Sequence, residues 1–249
     1  MVLGFSTGSL AKGDFSKALH MLDSYPNLAA IELSALRENE LPILVLALPT
    51  LNLTRYNHIS LHAPGKLGFY KEEDIIKLLL EVVAREIHVI VHPDIITDFS
   101  KWLQLGSFLC IENMDKRKPV GRTTEDLHRL FTLLPEASFC LDLAHVKQVD
   151  PSMIECEKML QAFSKRLIQF HISDVTSDSN HVPINIEAIH AFRKIEKLIP
   201  PSIPFIIESP IDEFYIEREL KYINSVFNHN NHISLGHSFV NDKHSFHYR

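Results

Sequence analysis

The 249-residue chain has only three cysteines, Cys110, Cys140 and Cys156, and no two of them form a CxxC pair. That leaves no basis for a disulfide framework or a zinc–thiolate site, and thiols set in apolar runs, as Cys110 and Cys140 are, read as core residues of a reducing compartment. Long hydrophobic runs are missing too. None reaches the ~18 apolar residues of a membrane span, and the start, MVLGFSTGSLAKGDF, lacks the basic stretch and apolar core of a secretory leader, so a cytoplasmic location is expected. Basic residues form no stripe: 25 Lys and Arg stand scattered among 31 Asp and Glu, for a net charge of −6. Affinity for duplex nucleic acid rests largely on neutralising phosphates, so that balance counts against nucleic acid as a partner. No glycine-rich fingerprint follows the first apolar segment, where GFSTGSL offers a loose GxxxG, and this speaks against a dinucleotide fold.

What the chain does have is an alternation. Apolar strand-like segments at 2–6, 29–34, 58–62, 87–92, 108–113, 138–143, 167–172 and 203–208 are separated by amphipathic stretches such as EEDIIKLLLEVVAREI and TTEDLHRLFTLLP. A spacing of ~20–40 residues accommodates a strand, a loop and a crossover helix. Eight such repeats predict a single-domain (β/α)8 TIM barrel over residues 1–227. Thr123 is placed to cap the helix that follows it, with acids in the first turn. Residues 228–249 differ in composition and hold five of the fifteen histidines, which marks a His-rich C-terminal extension.

Six of the apolar runs end on a metal-capable side chain: SLHAP at His62, IVHPD at His92, LCIEN at Glu112, FCLDLAH at Asp142, QFHISD at His171 and FIIESP at Glu208. Separate strands converge only at the mouth of a parallel barrel, so ligand types recurring at one strand end predict a single site there. Glu112, Asp142, His171 and Glu208 make a mixed oxygen and nitrogen set for a divalent ion, Zn or Mn, and would repel one another without it. His62 and His92, with Glu112 bridging, are candidates for a second ion. His145, three residues past Asp142, is a candidate proton shuttle or substrate contact, and His181, in the loop after the seventh strand, is a candidate substrate contact. His58 and His88 open their strands and are expected at the opposite face. Lys116, Arg117 and Lys118 follow Glu112 on a loop that should overhang the site, and Lys116 and Lys118 are candidates for binding an anionic substrate.

These motifs, in this order, resemble the xylose isomerase-like barrel superfamily, which includes sugar isomerases, epimerases and endonuclease IV. The resemblance covers roughly residues 2–210 and implies that Glu112, Asp142, His171 and Glu208 hold one metal. In endonuclease IV-like members it implies a second zinc on His62, His92 and Glu112, and a third on His145 and an Asp-x-His pair, where this chain reads Ser179-Asn180-His181. Asp178 is the neighbouring carboxylate that would have to stand in. Where those enzymes carry a DNA-wedging tyrosine this chain has Gly65, and where ketose epimerases carry a glutamate and an arginine it has Lys118 and Ser177.

Two enzymatic readings follow, and the motifs put an isomerase or epimerase of a small sugar, sugar acid or sugar phosphate first. There Glu112 and Glu208 exchange a proton through an enediolate while His145 orients a substrate oxygen. The alternative is an endonuclease IV-like multi-zinc phosphoesterase. A non-catalytic binding barrel is the third possibility, which substitution of the ligands would favour, and Glu112, Asp142, His171 and Glu208 are all of ligand type.

Overall fold

A computed structural model describes residues 1–227; the His-rich extension expected at 228–249 lies outside the described residues. The barrel strands are β1 (Leu3–Ser6), β2 (Ala30–Ser34), β3 (His58–His62), β4 (His88–Val91), β5 (Leu109–Glu112), β6 (Ser138–Asp142) and β7 (Leu167–Ile172). A small antiparallel hairpin of β8 (Asp174–Val175) and β9 (His181–Val182) precedes the last barrel strand, β10 (Phe205–Ile207). All eight barrel strands pair in parallel, in chain order, and β10 closes against β1. Each falls within two residues of the bounds expected from the apolar runs, so the chain is the (β/α)8 barrel that its spacing predicts. Around it lie α1 (Thr7–Ala11), α2 (Phe15–Met21), α3 (Glu40–Ala47), α4 (Glu72–Val83), α5 (Phe99–Trp102), α6 (Thr124–Leu133), α7 (Leu143–Val149), α8 (Ile154–Phe163), α9 (Ile186–Arg193) and α10 (Ile216–Phe227). Among the described residues no helix is long and apolar enough to cross a membrane.

Local chemistry explains the crossovers. Helix α4 opens on Glu72, Glu73 and Asp74, which favour the positive end of the helix dipole, and buries Ile75, Ile76, Leu79 and Val82 against the sheet. At α6 the Thr123 hydroxyl accepts the Asp126 N–H at 3.2 Å, the cap its sequence predicts. The apolar core lies outside the barrel, between sheet and helices, where Phe5, Ile31, Leu61, Val89, Ile111, Phe139, Phe170 and Phe205 are buried. Each such side chain contributes about 1.5–3 kcal/mol. Inside the barrel most of the alternate residues are small or polar, apart from a cluster of Ile90, Cys110 and Cys140 and the buried Ile206. All three cysteines are buried and free. Gly4 lets β1 approach β2, because a Cβ there would stand 2.0 Å from the Ala30 carbonyl oxygen.

One irregularity decides where the site forms. Leu167 pairs with Phe139, but the next pairings are Gln169 with Cys140 and His171 with Asp142, so β7 carries one extra residue at Ile168. Side chains alternate across a strand with a period of two, and without that bulge Phe170 would face the interior and His171 the helices. The bulge turns Gln169 and His171 inward.

Candidate metal centre

The strand-end residues meet at the carboxyl end of the barrel. Asn113 splices two of the strands there: its Oδ1 accepts the Asp142 N–H at 2.7 Å, and its Nδ2 donates to the Asp142 carbonyl at 3.0 Å. Asp142 in turn caps α7, with Oδ1 accepting the His145 N–H at 2.7 Å. That fixes the carboxylate and leaves Oδ2 turned toward the site. Three groups of ligand-type atoms result, each spanning no more than 4.8 Å: His62, His92 and Glu112; Asp142, His145 and His181; and Glu112, Asp142, His171 and Glu208.

Glu112 is shared. Its Oε2 lies 3.1 Å from His62 Nε2 and 3.3 Å from His92 Nε2, and its Oε1 lies 3.2 Å from His145 Nδ1 and 3.5 Å from His171 Nδ1. Glu208 Oε2 closes the far side at 3.3 Å from His171 Nδ1 and 3.6 Å from His181 Nε2. Four of the five imidazoles have a nitrogen tied; at His62, His171 and His181 it is the one turned away from Glu112 and Glu208, and at His145 it is the Nδ1 that also lies near Glu112. His62 Nδ1 donates to the Ala63 carbonyl (2.7 Å), His145 Nδ1 to the Asn113 carbonyl (3.0 Å), His171 Nε2 to Glu32 (3.0 Å) and His181 Nδ1 to Ser173 Oγ (2.7 Å). Such ties set the tautomer. At His62, His171 and His181 the bare nitrogen then faces a carboxylate.

That arrangement fits a cation. Glu112 Oε1, Asp142 Oδ2 and His171 Nδ1 are buried and have no hydrogen-bond partner. His145 is close to Glu112 Oε1 but has committed its Nδ1 hydrogen to Asn113. Orphaned lone pairs converging in a buried pocket are costly unless an ion satisfies them. Protons are the alternative. Burial opposes charge on His62, yet the hydrogen bond to Glu112 pushes it up to about 9; burial likewise opposes His145, which Asp142 and Glu112 push up to about 10. His171 is held well above its ordinary value against burial by the surrounding acidic groups. Burial also works against Glu112 and Glu208, but the neighbouring imidazoles, His171 foremost, keep both below the usual carboxylate range. Burial prevails at His92, which it lowers, and at Asp142, which it raises.

The centre opens into a cavity of about 530 Å³, lined by His62, His92, Glu112, His145, His181 and Glu208 below and by Arg37, Lys66, Arg117 and Lys118 at the rim. Two expected placements change. Lys116 is exposed and does not line the cavity; buried Asp115 accepts the Arg117 N–H, Nε–H and Nη2–H, a turn that sends Arg117 and Lys118 inward and Lys116 out. Lys118 is in place, paired with Asp94 at 2.6 Å. Asp178 does not stand in for the missing aspartate: it is exposed and outside the three groups. Ser179 has its Oγ on Gln148 at 2.8 Å, and its carbonyl accepts Arg117. His58 and His88 open their strands as expected, but His58 reaches inward to Gln169 at 2.8 Å. Sequence reasoning passed over Glu32, buried mid-strand on β2 and bonded to His171; a lone carboxylate between Ile31 and Leu33 was the available signal.

No protein-family model matches the chain, and no curated protein sequence does. Solved structures do resemble it. Endonuclease IV from Thermus thermophilus aligns over 91% of this chain and 97% of its own, at 17% identity and a TM-score of 0.57. A protein described as a candidate sugar phosphate isomerase/epimerase, from Anabaena variabilis, aligns over 92% and 88%, at 15% identity and a TM-score of 0.53. AP endonuclease, family 2, from Brucella melitensis aligns over 84% and 93%, at 13% and 0.51. Identities this low carry architecture and not reaction. What they share with this chain is the fold, a closed parallel (β/α)8 TIM barrel.

Proposed function

We propose that the chain is a metal-dependent hydrolase of small anionic phosphoesters that works with at least two divalent ions. The observation that carries this reading is the division of Glu112, with one oxygen facing His62 and His92 and the other facing His145 and His171. A carboxylate split between two imidazole pairs is a bridging ligand, which chemistry on one ion does not need. His62, His92 and Glu112 would hold one ion; Glu112, Asp142, His171 and Glu208 would hold the other. Zinc or manganese there would supply Lewis acidity at the ester and activate water at neutral pH. Lys118 and Arg117 at the rim offset the charge of the phosphate. His145 and His181, left over once the two sets sharing Glu112 are filled, face the incoming ester and, with Asp142, would hold a further ion when it binds. The net charge of −6 and the absence of a side chain at Gly65 count against duplex DNA as the substrate.

One observation favours the isomerase or epimerase reading. Glu112 Oε1 and Glu208 Oε2 flank His171 Nδ1 at 3.5 and 3.3 Å, a placement that suits two carboxylates exchanging one substrate proton. Ion counting on the purified chain, with turnover of phosphomonoesters, phosphodiesters and ketoses by wild type and His62→Ala, separates the two. Two or more ions, ester turnover and a His62→Ala variant impaired by at least about a hundredfold support the hydrolase. One ion, ketose turnover and an unaffected variant replace it with the isomerase. Ion binding with no turnover of either class identifies a binding barrel.

A further inference from the structure

Glu32 is fully buried inside the barrel, on β2, and its side chain crosses the interior to β7. Its register neighbours are Ser6 and Ser60, small enough to leave it room. Oε2 accepts from three donors: Ser60 Oγ at 3.2 Å, Gln169 Nε2 at 2.7 Å and His171 Nε2 at 3.0 Å. Oε1 has no partner.

The direction of these bonds is set from the opposite end of the barrel. Gln169 Oε1 receives the His58 Nε2 hydrogen at 2.8 Å, so the Gln169 amide must turn its NH2 toward Glu32. A carboxylate only accepts. His171 Nε2 lies 3.0 Å from Glu32 Oε2 and 2.9 Å from Gln169 Nε2; the Gln169 amide already donates to Glu32, and the charged carboxylate outweighs the neutral amide as the partner of the ring, so Nε2 carries the hydrogen and Nδ1 the lone pair. Nδ1 then faces Glu112 and Glu208. The ties on His62, His145 and His181 are neutral carbonyl or hydroxyl oxygens; His171 alone of these four is tied by a carboxylate. A charged acceptor makes the ring a stronger donor to a metal than a carbonyl does. A carboxylate this deep is also destabilising without nearby positive charge, and among its partners only the His171 ring and the ion it would hold supply any.

We propose that Glu32 is a positioning residue of the metal centre: it fixes the orientation and tautomer of His171, so that Nδ1 is presented to the Glu112, Asp142 and Glu208 set, and it strengthens that nitrogen as a ligand. Gln169 and His58 hold Glu32 in the accepting role. The inference rests on the metal-centre reading and not on which reaction the centre performs.

The test uses the full chain, stripped of metal and titrated with Zn²⁺ and Co²⁺ against a chromophoric chelator, as wild type, Glu32→Gln and Glu32→Ala. The first equivalent goes to the set with four protein ligands. For that equivalent the affinity should fall about 10–100-fold in both variants, and the Co²⁺ absorption band should change shape, while the metal-free proteins remain folded by circular dichroism. His58→Ala should shift affinity in the same direction by less. A purely structural Glu32 would instead lower the denaturation midpoint of the metal-free variants and leave ion affinity and the Co²⁺ spectrum as in wild type; that result overturns the proposal. Should Glu32→Ala not fold, Glu32→Gln, which keeps the size and one accepting oxygen, decides alone. A wild type that binds neither ion removes the metal-centre reading and this inference together, whereas a binding wild type with unaltered variants removes only the inference.

Discussion

Replacing His62 by Gln in the metal-free protein should change how stability depends on pH, and the size of the change follows from the site. Gln keeps a nitrogen where Nε2 faces Glu112 but cannot take up a proton. In the folded chain His62 is pushed up to about 9 from an ordinary 6.5, against burial, by its hydrogen bond to Glu112. A raised value means that the folded state binds the proton more tightly than the unfolded state does. The resulting stabilisation is fully present below about pH 6.5 and is lost as pH rises through about 9. Between pH 6.5 and 8.5 the loss is roughly 2 kcal/mol for this one group.

Other groups titrate in the same window. Burial lowers His58, His88 and His92, so the fold gains stability as pH rises toward 6.5, and that gain is nearly complete where the window opens. Burial raises the three thiols, which costs stability once unfolded cysteine ionises, near pH 8.5. The informative quantity is therefore the difference between wild type and His62→Gln, in which the contributions of His58, His88 and the thiols cancel; His62 itself helps to lower His92, so the pair is compared in a His92→Gln background. Urea melts in the presence of a chelator, at half-unit steps from pH 6.5 to 8.5, should show the chain that keeps His62 losing about 2 kcal/mol relative to the variant. With Zn²⁺ present and His92 intact the sign should reverse, because the ion needs the neutral ring and displaces the proton. A difference that stays flat or grows with pH in the chelated protein would refute the claim that His62 is cationic there.

Glu112→Gln should remove ions from both sets that share this residue, and elemental analysis should find at least two fewer ions per chain than in wild type. Gly65→Ala should weaken the His62 and His92 set about tenfold, because a Cβ would stand 3.1 Å from His92 Nδ1 and force the ring to shift; competition with a chelator reads this, and unchanged affinity would mean that the ring accommodates it. Lys118→Ala should raise KM for phosphorylated substrates about tenfold, the worth of one charge-assisted hydrogen bond, and leave kcat nearly unchanged; a loss confined to kcat would move Lys118 from binding into the chemistry.

How much the sequence discloses differs by scale. The barrel strands are legible because each is an apolar run bounded by a polar end, and His62, His92, Glu112, Asp142, His171 and Glu208 are legible because each occupies such an end. The hairpin of β8 and β9 is not, since strands of two residues have no periodicity to detect. Nor is the bulge at Ile168: LIQFHI reads the same whether Phe170 or His171 faces inward, and only pairing with β6 decides. The charge run 116–118 marks the right loop and Lys118, but not that Arg117 replaces Lys116, because Asp115 holds Arg117 and Asp94 holds Lys118 by hydrogen bonds that composition does not encode. Glu32 escaped because attention to strand ends passes over a carboxylate in the middle of a strand.

Charge balance links the missing aspartate to the kind of substrate proposed. Glu32, Glu112, Asp142 and Glu208 place four carboxylates around one pocket. Two divalent ions would match them with every imidazole neutral, the state in which imidazoles ligate. A third ion on Asp142, His145 and His181 would add two positive charges with no unpaired carboxylate in that group to meet them, since position 179 is serine, Asp178 lies outside the group and Asp115 on the cavity wall is paired with Arg117. An uncompensated dication in a buried site is unfavourable, so the third set is best filled together with an anion. A phosphate entering past Lys118 and Arg117 brings that charge. On this account the substitution at 179 leaves the third set dependent on a phosphorylated ligand, and the basic rim and the unfilled valence beneath it select for the same chemical group.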